Sequence, residues 1–267
     1  MFSLEMESEG EAKDLLIAEL WERGSTGIVE TDLPGGRCLL RAFFEDEADL
    51  DSLQHQFAAR IERHAPRDWV EFSRAGWEPI CVGSRFYLVP DWLQDPAPSG
   101  RFRIEINPGL AFGSGYHETT QLCLEALEEY LRPGMTVLDV GAGSGILSIA
   151  AALLGACRVV ACDVDPVAVE IAGANARRAG VGVRLFSGSA DAIRTGSVDL
   201  IVANINASAS IELAAELLRC LAPGGRCIAS GFETWELEAV EAAFERVGAM
   251  VKRKAFKGQW TSIAAAR

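Results

Sequence analysis

The feature that most constrains this 267-residue chain is the run Val137-Leu138-Asp139-Val140-Gly141-Ala142-Gly143-Ser144-Gly145. A strand-like apolar segment leads straight into three glycines within five residues, and a helix-like apolar segment follows from Ile146. Glycine is needed where a backbone turns sharply or where a ligand must lie against it. A strand, a glycine loop and a helix in that order predict a βα unit with a ligand seated on the loop. The chain around it alternates in the same way. Strands are expected at Thr136–Val140, Arg158–Cys162, Val183–Phe186, Val198–Ala203 and Arg226–Ser230. Helices are expected at Ile146–Leu154, Pro166–Ala179, Ile211–Leu221 and Trp235–Val247. Such alternation predicts an α/β fold, a doubly wound parallel sheet covered on both faces.

The loop's chemistry narrows the ligand. A dinucleotide loop has the spacing G-x-G-x-x-G, with a helix N-terminus facing a pyrophosphate. Here the spacing is G-x-G-x-G, preceded by Asp139. An acid at that point repels a pyrophosphate and suits an ammonium. S-adenosylmethionine has an amino-acid end, a sulfonium, a ribose and an adenine, and no phosphate. Asp139, Gly141, Gly143 and Gly145 are therefore candidate donor-binding residues. The next strand ends in Asp163-Val164-Asp165-Pro166. Asp163 is placed to accept hydrogen bonds from both ribose hydroxyls, and Asp165 to cap the helix that opens at Pro166. Ser189 and Ala190, after the third strand, are the candidates for flanking the adenine.

The tail departs from the βα pattern. Ala249–Phe256, the turn Lys257-Gly258-Gln259 and Trp260–Ala266 read as a β-hairpin. A Rossmann-like parallel sheet closed by a terminal antiparallel hairpin is the outline of the class I methyltransferases. On that outline the fourth strand delivers Asn204 to the reacting end of the donor. Its amide carbonyl can accept an N–H from an amine, though it cannot act as a base. Upstream, Asn107–Thr120 holds Gly109, Gly113 and Gly115, with Phe112 and Tyr116 able to close over a ligand, and leads into a helix from about Gln121 to Leu131. Thr119 is the expected cap of that helix, and His117 is a candidate catalytic residue.

Residues 1–72 form a separate region, with 17 acids against 7 bases, a net of −10 out of −13 for the whole chain. Phe2–Met6, Gly27–Thr31, Cys38–Phe44 and Trp69–Phe72 read as strands, and Ala12–Arg23 and Ala48–His64 as helices. The order β-α-β-β-α-β is that of a small α+β ferredoxin-like domain. Residues 73–100 read as a connector that holds a strand-like run, Arg85–Val89, and so is not simply a flexible tether, and 101–267 read as the catalytic domain. The acidic balance disfavours direct binding of nucleic acid, whose phosphates need Lys and Arg, and suits a basic protein partner. The start of the chain has no basic and apolar signal segment, and no apolar run is long enough for a membrane span. Seven scattered cysteines without a C-x-x-C read as reduced core residues of a cytoplasmic protein. The histidines have no partner at ligand spacing, so no metal is expected.

The loop Asn107–Thr120, the Asp139–Gly145 loop, the turn Asp163-Val164-Asp165-Pro166 and Ala203-Asn204-Ile205 together resemble the PrmA family. Its members are methyltransferases of large-subunit ribosomal protein L11. The resemblance implies a two-domain enzyme that methylates lysine side chains and the N-terminal amine of a ribosomal protein, docked by the first domain. It assigns Thr120, Gly141, Asp163 and Asn204 to donor-binding positions. This chain differs from the family's usual pattern at Asn107, Tyr116, Glu118 and Asn206. Two other readings remain open at this level: a small-molecule amine N-methyltransferase, and a donor-binding interaction protein without catalysis.

Overall fold

The computed structural model describes residues 2–9, 12–33, 37–44, 50–57, 59–63, 77–107 and 115–267. The chain divides into two compact units, residues 1–76 and 77–267.

In the first unit, strands β1 (Phe2–Glu9), β2 (Gly27–Leu33), β3 (Arg37–Phe44) and β4 (Arg60–Arg63) form one sheet in the order β2-β3-β1-β4. Every pairing in it is antiparallel. Helices α1 (Ala12–Glu22) and α2 (Leu50–Phe57) lie between β1 and β2 and between β3 and β4 in the chain. The alternation of β3 buries Cys38, Leu40, Ala42 and Phe44, which join Leu4, Met6, Leu20 and Leu53 in the core. One expectation is corrected here. Residues 60–63, read as the end of a helix, are a strand. Leu4 lies opposite Ile61 and Glu5 opposite Arg60, so pairing with β1 overrides local helix propensity. The strand expected at Trp69–Phe72 lies outside the described residues.

The second unit opens with a small sheet of β5 (Ile80–Val82), β6 (Phe86–Pro90) and β7 (Phe102–Ile106). Much of the stretch read as a connector is thus folded into this unit. The carboxylate of Glu128 closes the β5–β6 turn by accepting from the Ser84 and Arg85 backbone N–H groups at 2.9 and 2.7 Å.

The main sheet has seven strands: β8 (Thr136–Val140), β9 (Arg158–Asp163), β10 (Arg184–Ser187), β11 (Val198–Asn204), β12 (Leu221–Glu233), β13 (Met250–Lys257) and β14 (Trp260–Ala266). Their order is β10-β9-β8-β11-β12-β14-β13. The first five are parallel to one another, and β14 runs antiparallel to both β12 and β13. This is the expected Rossmann-like sheet with its terminal hairpin. The near-continuous burial of β8 and β11 follows from cover on both faces. On one face lie α3 (Glu118–Tyr130), α4 (Ile146–Leu153) and α5 (Pro166–Arg178), which bury Leu124, Ile149 and Ala176 against Val137 and Leu200. On the other lie α6 (Ala207–Cys220) and α7 (Leu237–Arg246), which bury Leu217 and Phe244 against Leu138 and Ile201.

The chain passes outward from β8 through β9 to β10, then returns to the other side of β8 at β11. The carboxyl ends of β8, β9 and β11 therefore meet at the point where the winding reverses, which is where open α/β sheets bind ligands. The cysteines also need a correction. Cys38, Cys123, Cys162, Cys220 and Cys227 are buried, whereas Cys81 and Cys157 are exposed, and all seven are unpaired. Among the described residues no helix is long and apolar enough to cross a membrane.

Candidate active site

A cavity of about 760 Å³ opens at this reversal point. Gly141, Ala142 and Gly143 line it from the β8 loop, Asp163 and Val164 from the end of β9, and Gly188 and Ser189 from the loop after β10. Asn204, Ile205 and Asn206 line it from the end of β11, His117, Thr119 and Thr120 from the start of α3, and Trp260 from the start of β14.

The glycine loop is built for close approach. Gly141 and Gly143 have φ of +75° and +52°, a region that disfavours side chains. A Cβ on Gly141 would lie 2.5 Å from Ile205 Cγ2. The loop is pinned to β9, since the Gly141 and Ala142 N–H groups donate to the Cys162 carbonyl at 2.9 and 3.0 Å. Gly145 has a different role. It lies at the N-cap of α4 with φ +79°, and a Cβ there would meet the α5 backbone at Ala172, 3.1 Å from its Cα. It serves helix packing and does not line the cavity.

Asp163 reaches the cavity as expected. Its Oδ2 accepts from Gly143 N–H at 2.9 Å and its Oδ1 from Asp165 N–H at 3.0 Å. The carboxylate is thereby fixed, and each oxygen keeps lone-pair capacity for hydroxyls. Asp165 caps α5, accepting from Val167 N–H at 2.8 Å, and Pro166 follows at the first helical position.

Asp139 does not line the cavity. It is fully buried behind the loop, where Oδ2 accepts from Ser148 Oγ at 2.6 Å and Oδ1 has no hydrogen-bond partner. Desolvation pushes its carboxyl up from 3.8 to about 6, against the opposing Ser148 hydrogen bonds. Ser189 lines the cavity, whereas Ala190 is buried in the core, its carbonyl accepting from Arg219 Nη2 at 3.1 Å.

Asn204 and Thr120 are brought together from 84 residues apart. Asn204 Nδ2 donates to Thr120 Oγ1 at 3.2 Å. This holds the amide and keeps its carbonyl oxygen as the acceptor. His117, rather than Thr119, caps α3: its Nδ1 accepts from Thr119 N–H at 3.3 Å, and its ring meets the edge of Trp260 with centroids 4.6 Å apart. Nδ1 also lies 2.8 Å from Thr119 Oγ1, so Thr119 engages that edge of the ring through both its N–H and its hydroxyl. Tyr116 does not close over the cavity. Its hydroxyl donates to the Glu78 carbonyl at 2.6 Å and its ring packs edge-on against Trp77. Burial pushes the Tyr116 phenol up to about 12, so it stays a donor. Phe112 lies outside the described residues. Asn107 Nδ2 donates to Asp91 Oδ2 at 3.0 Å, a bond an ionised Asp could not make.

Three features lay beyond sequence reasoning. Asn206 caps α6, accepting from Ala209 N–H at 2.8 Å, so that helix starts four residues earlier than expected. Gly231, at φ +97°, lets β12 pass the Ile205 carbonyl, which a Cβ would approach to 2.4 Å. Trp260 supplies an aromatic wall. An Asn before a helical run signals the first. A Gly in a strand hints at the second.

S-adenosylmethionine fits these groups. The glycines leave room for backbone contact, the buried Asp139 sets a negative charge behind the loop for a cation, and Asp163 offers acceptors for two hydroxyls.

Comparison with known proteins agrees. Residues 36–267 match the family model described as ribosomal protein L11 methyltransferase (PrmA). A ribosomal protein L11 methyltransferase of Pelotomaculum thermopropionicum is 44% identical over 200 residues, covering 74% of this chain and 65% of the relative. Its counterpart in Symbiobacterium thermophilum is 45% identical over 185 residues, covering 69% and 61%. The match thus spans somewhat less than two thirds of either relative. A crystal structure of a ribosomal protein L11 methylase from Lactobacillus delbrueckii subsp. bulgaricus superposes with a TM-score of 0.67 at 35% identity, covering 72% of this chain and 99% of that one. The chain belongs to the ribosomal protein L11 methyltransferase (PrmA) family.

Proposed function

We propose that the protein is an S-adenosylmethionine-dependent N-methyltransferase acting on amino groups of a basic protein, ribosomal protein L11 being the substrate its family membership favours. The observation that carries this reading is the Asn204–Thr120 pair in the lining of the cavity that the glycine loop also lines. The bound donor supplies a methyl carbon bearing a good leaving group. Gly141 and Gly143 would present backbone to its amino-acid end, Asp163 would accept from its ribose hydroxyls, and Ser189 would border its adenine.

The chain's own residues act on the acceptor amine. An in-line displacement mainly needs proximity and a neutral nucleophile. A lysine amine near pKa ~10.4 costs about 4–5 kcal/mol to neutralise at pH 7, and an α-amine near ~7.8 costs about 1 kcal/mol. Asn204 cannot act as a base, and Nδ1 of His117 is engaged by Thr119. The amine loses its proton to water before it enters the cavity, where desolvation by Ile205, Trp260 and Leu213 favours the neutral form. Asn204 Oδ1 then accepts one of its N–H bonds and directs the nitrogen lone pair toward the donor side. Thr120 keeps the amide from turning. The acidic N-terminal region, residues 1–72 with its net −10, docks the basic substrate.

The test is incubation of the purified chain with isotope-labelled S-adenosylmethionine and ribosomal proteins, followed by mass spectrometry. Label on L11 at a lysine or the N-terminus is expected. Label only on small amines, or none with donor bound, would refute the reading.

A further inference from the structure

Among the described residues the two most exposed large apolar side chains, Val164 at 79% and Trp235 at 77%, both belong to the carboxyl edge of the main sheet. Val164 lines the cavity. Trp235 is not in the lining but follows it closely along the chain. Gly231, four residues earlier on β12, is in the cavity wall, and Glu233 pairs across the strands with the wall residue Trp260.

The segment carrying Trp235 is rigid. Thr234 N–H donates to the Gln259 carbonyl at 2.8 Å, Thr234 Oγ1 lies 3.1 Å from Thr261 Oγ1, and Glu233 N–H donates to Glu236 Oε2 at 2.8 Å. The indole itself is oriented, because its Nε1–H donates to Glu233 Oε2 at 2.9 Å. An indole N–H lies in the ring plane, so this bond occupies the edge of the ring and leaves its face to solvent. A carboxylate in the plane of an open aromatic face is a receptor for a cation: the face attracts it by its quadrupole, and the carboxylate by its charge. The nearby base Lys257 is engaged by Gln121 Oε1 at 2.6 Å and Glu125 Oε1 at 3.3 Å, and so does not fill it.

We propose that Trp235 and Glu233 form a shelf at the cavity rim that receives a lysine or arginine side chain of the acceptor polypeptide, next to the amine being methylated. This rests on the reading above that the acceptor is a basic protein. It adds a contact on the second unit itself, which favours amines flanked by a second cation.

The experiment is steady-state methylation of L11 by the full chain and its Trp235→Ala, Trp235→Phe and Glu233→Gln variants, with donor affinity measured by calorimetry. Trp235→Ala should raise KM for the protein about 2- to 5-fold, the range for one exposed cation–π contact, while kcat and donor affinity stay within about twofold. Trp235→Phe should recover most of the loss, since it restores an aromatic face. Glu233→Gln should fall between. An unchanged KM in Trp235→Ala overturns the proposal, as does a parallel fall of kcat and donor affinity. If the wild-type chain methylates no protein, the acceptor reading fails. The shelf is then judged by NMR: hexalysine peptide should shift the Trp235 indole N–H resonance, assigned by its loss in Trp235→Phe, and no shift overturns it. A dimer that Trp235→Ala converts to monomer in sedimentation would assign the shelf to a second copy and also overturn the proposal.

Discussion

Replacing Asp139 with Asn should stabilise the fold at neutral pH while weakening donor binding. The side chain is fully buried, Ser148 satisfies only one of its oxygens, and burial raises its carboxyl from 3.8 to about 6. A carboxyl whose folded pKa is raised binds its proton more tightly in the folded state. Its contribution is therefore most favourable below 3.8 and is lost as pH rises through about 6. The gap between those values, at 1.36 kcal/mol per decade, is about 3 kcal/mol at pH 7. An Asn keeps an acceptor for Ser148 and carries no charge to desolvate. In urea titrations the variant should match the wild type near pH 4 and exceed it by up to about 3 kcal/mol near pH 7. Calorimetry should show the opposite for the ligand. The wild type should bind S-adenosylmethionine more tightly as pH rises through about 6, because the ionised carboxylate favours the cation, and the variant should lose that dependence. A stability difference that is flat with pH, or an Asn variant that binds the donor as well as the wild type at pH 7, would refute this role for Asp139.

Other perturbations follow from the same geometry. Asp163→Ala removes acceptors for two hydroxyls and frees the Gly143 N–H, and at about 1.5 kcal/mol or more per charged hydrogen bond it should weaken donor binding about 10²-fold or more by calorimetry. Gly231→Ala places a Cβ 2.4 Å from the Ile205 carbonyl at φ +97°. The left-handed backbone alone costs about 1–2 kcal/mol, so a lowered melting temperature is expected, together with lost turnover as Ile205 and Asn204 are displaced. If the acidic first unit docks a basic protein, kcat/KM for L11 should fall steeply between 50 and about 300 mM salt, whereas a flat response removes electrostatic docking.

The main sheet was legible because β8, β9, β11 and β12 each carry an apolar run and lead on to a helix. β8 ends where expected at Val140, and β11 differs from its expected span only by including Asn204. The hairpin of β13 and β14 was marked by Lys257-Gly258-Gln259 between two strand-like runs. Long-range effects escaped. The strand at Arg60–Arg63 is created by β1, which lies more than fifty residues earlier. Local sequence shows no such partner. In the small sheet at 80–106 only the middle strand was legible, as the run Arg85–Val89, and its turn is held from afar by Glu128 of α3. In the site, Asp163 and Asn204 were readable because strand ends are predictable positions. The inward burial of Asp139 and the capping role of His117 depend on what packs behind the loop and on which side chain reaches Thr119 N–H first. Neither is written in spacing.

The most direct measurement is single-turnover methyl transfer to L11 by Asn204→Ala, at saturating donor and acceptor, alongside calorimetry of donor binding. Loss of the amide that aims the amine should reduce the rate about 10²-fold or more, while donor affinity changes by no more than about fivefold. Full turnover by this variant would contradict the assignment of amine orientation to Asn204.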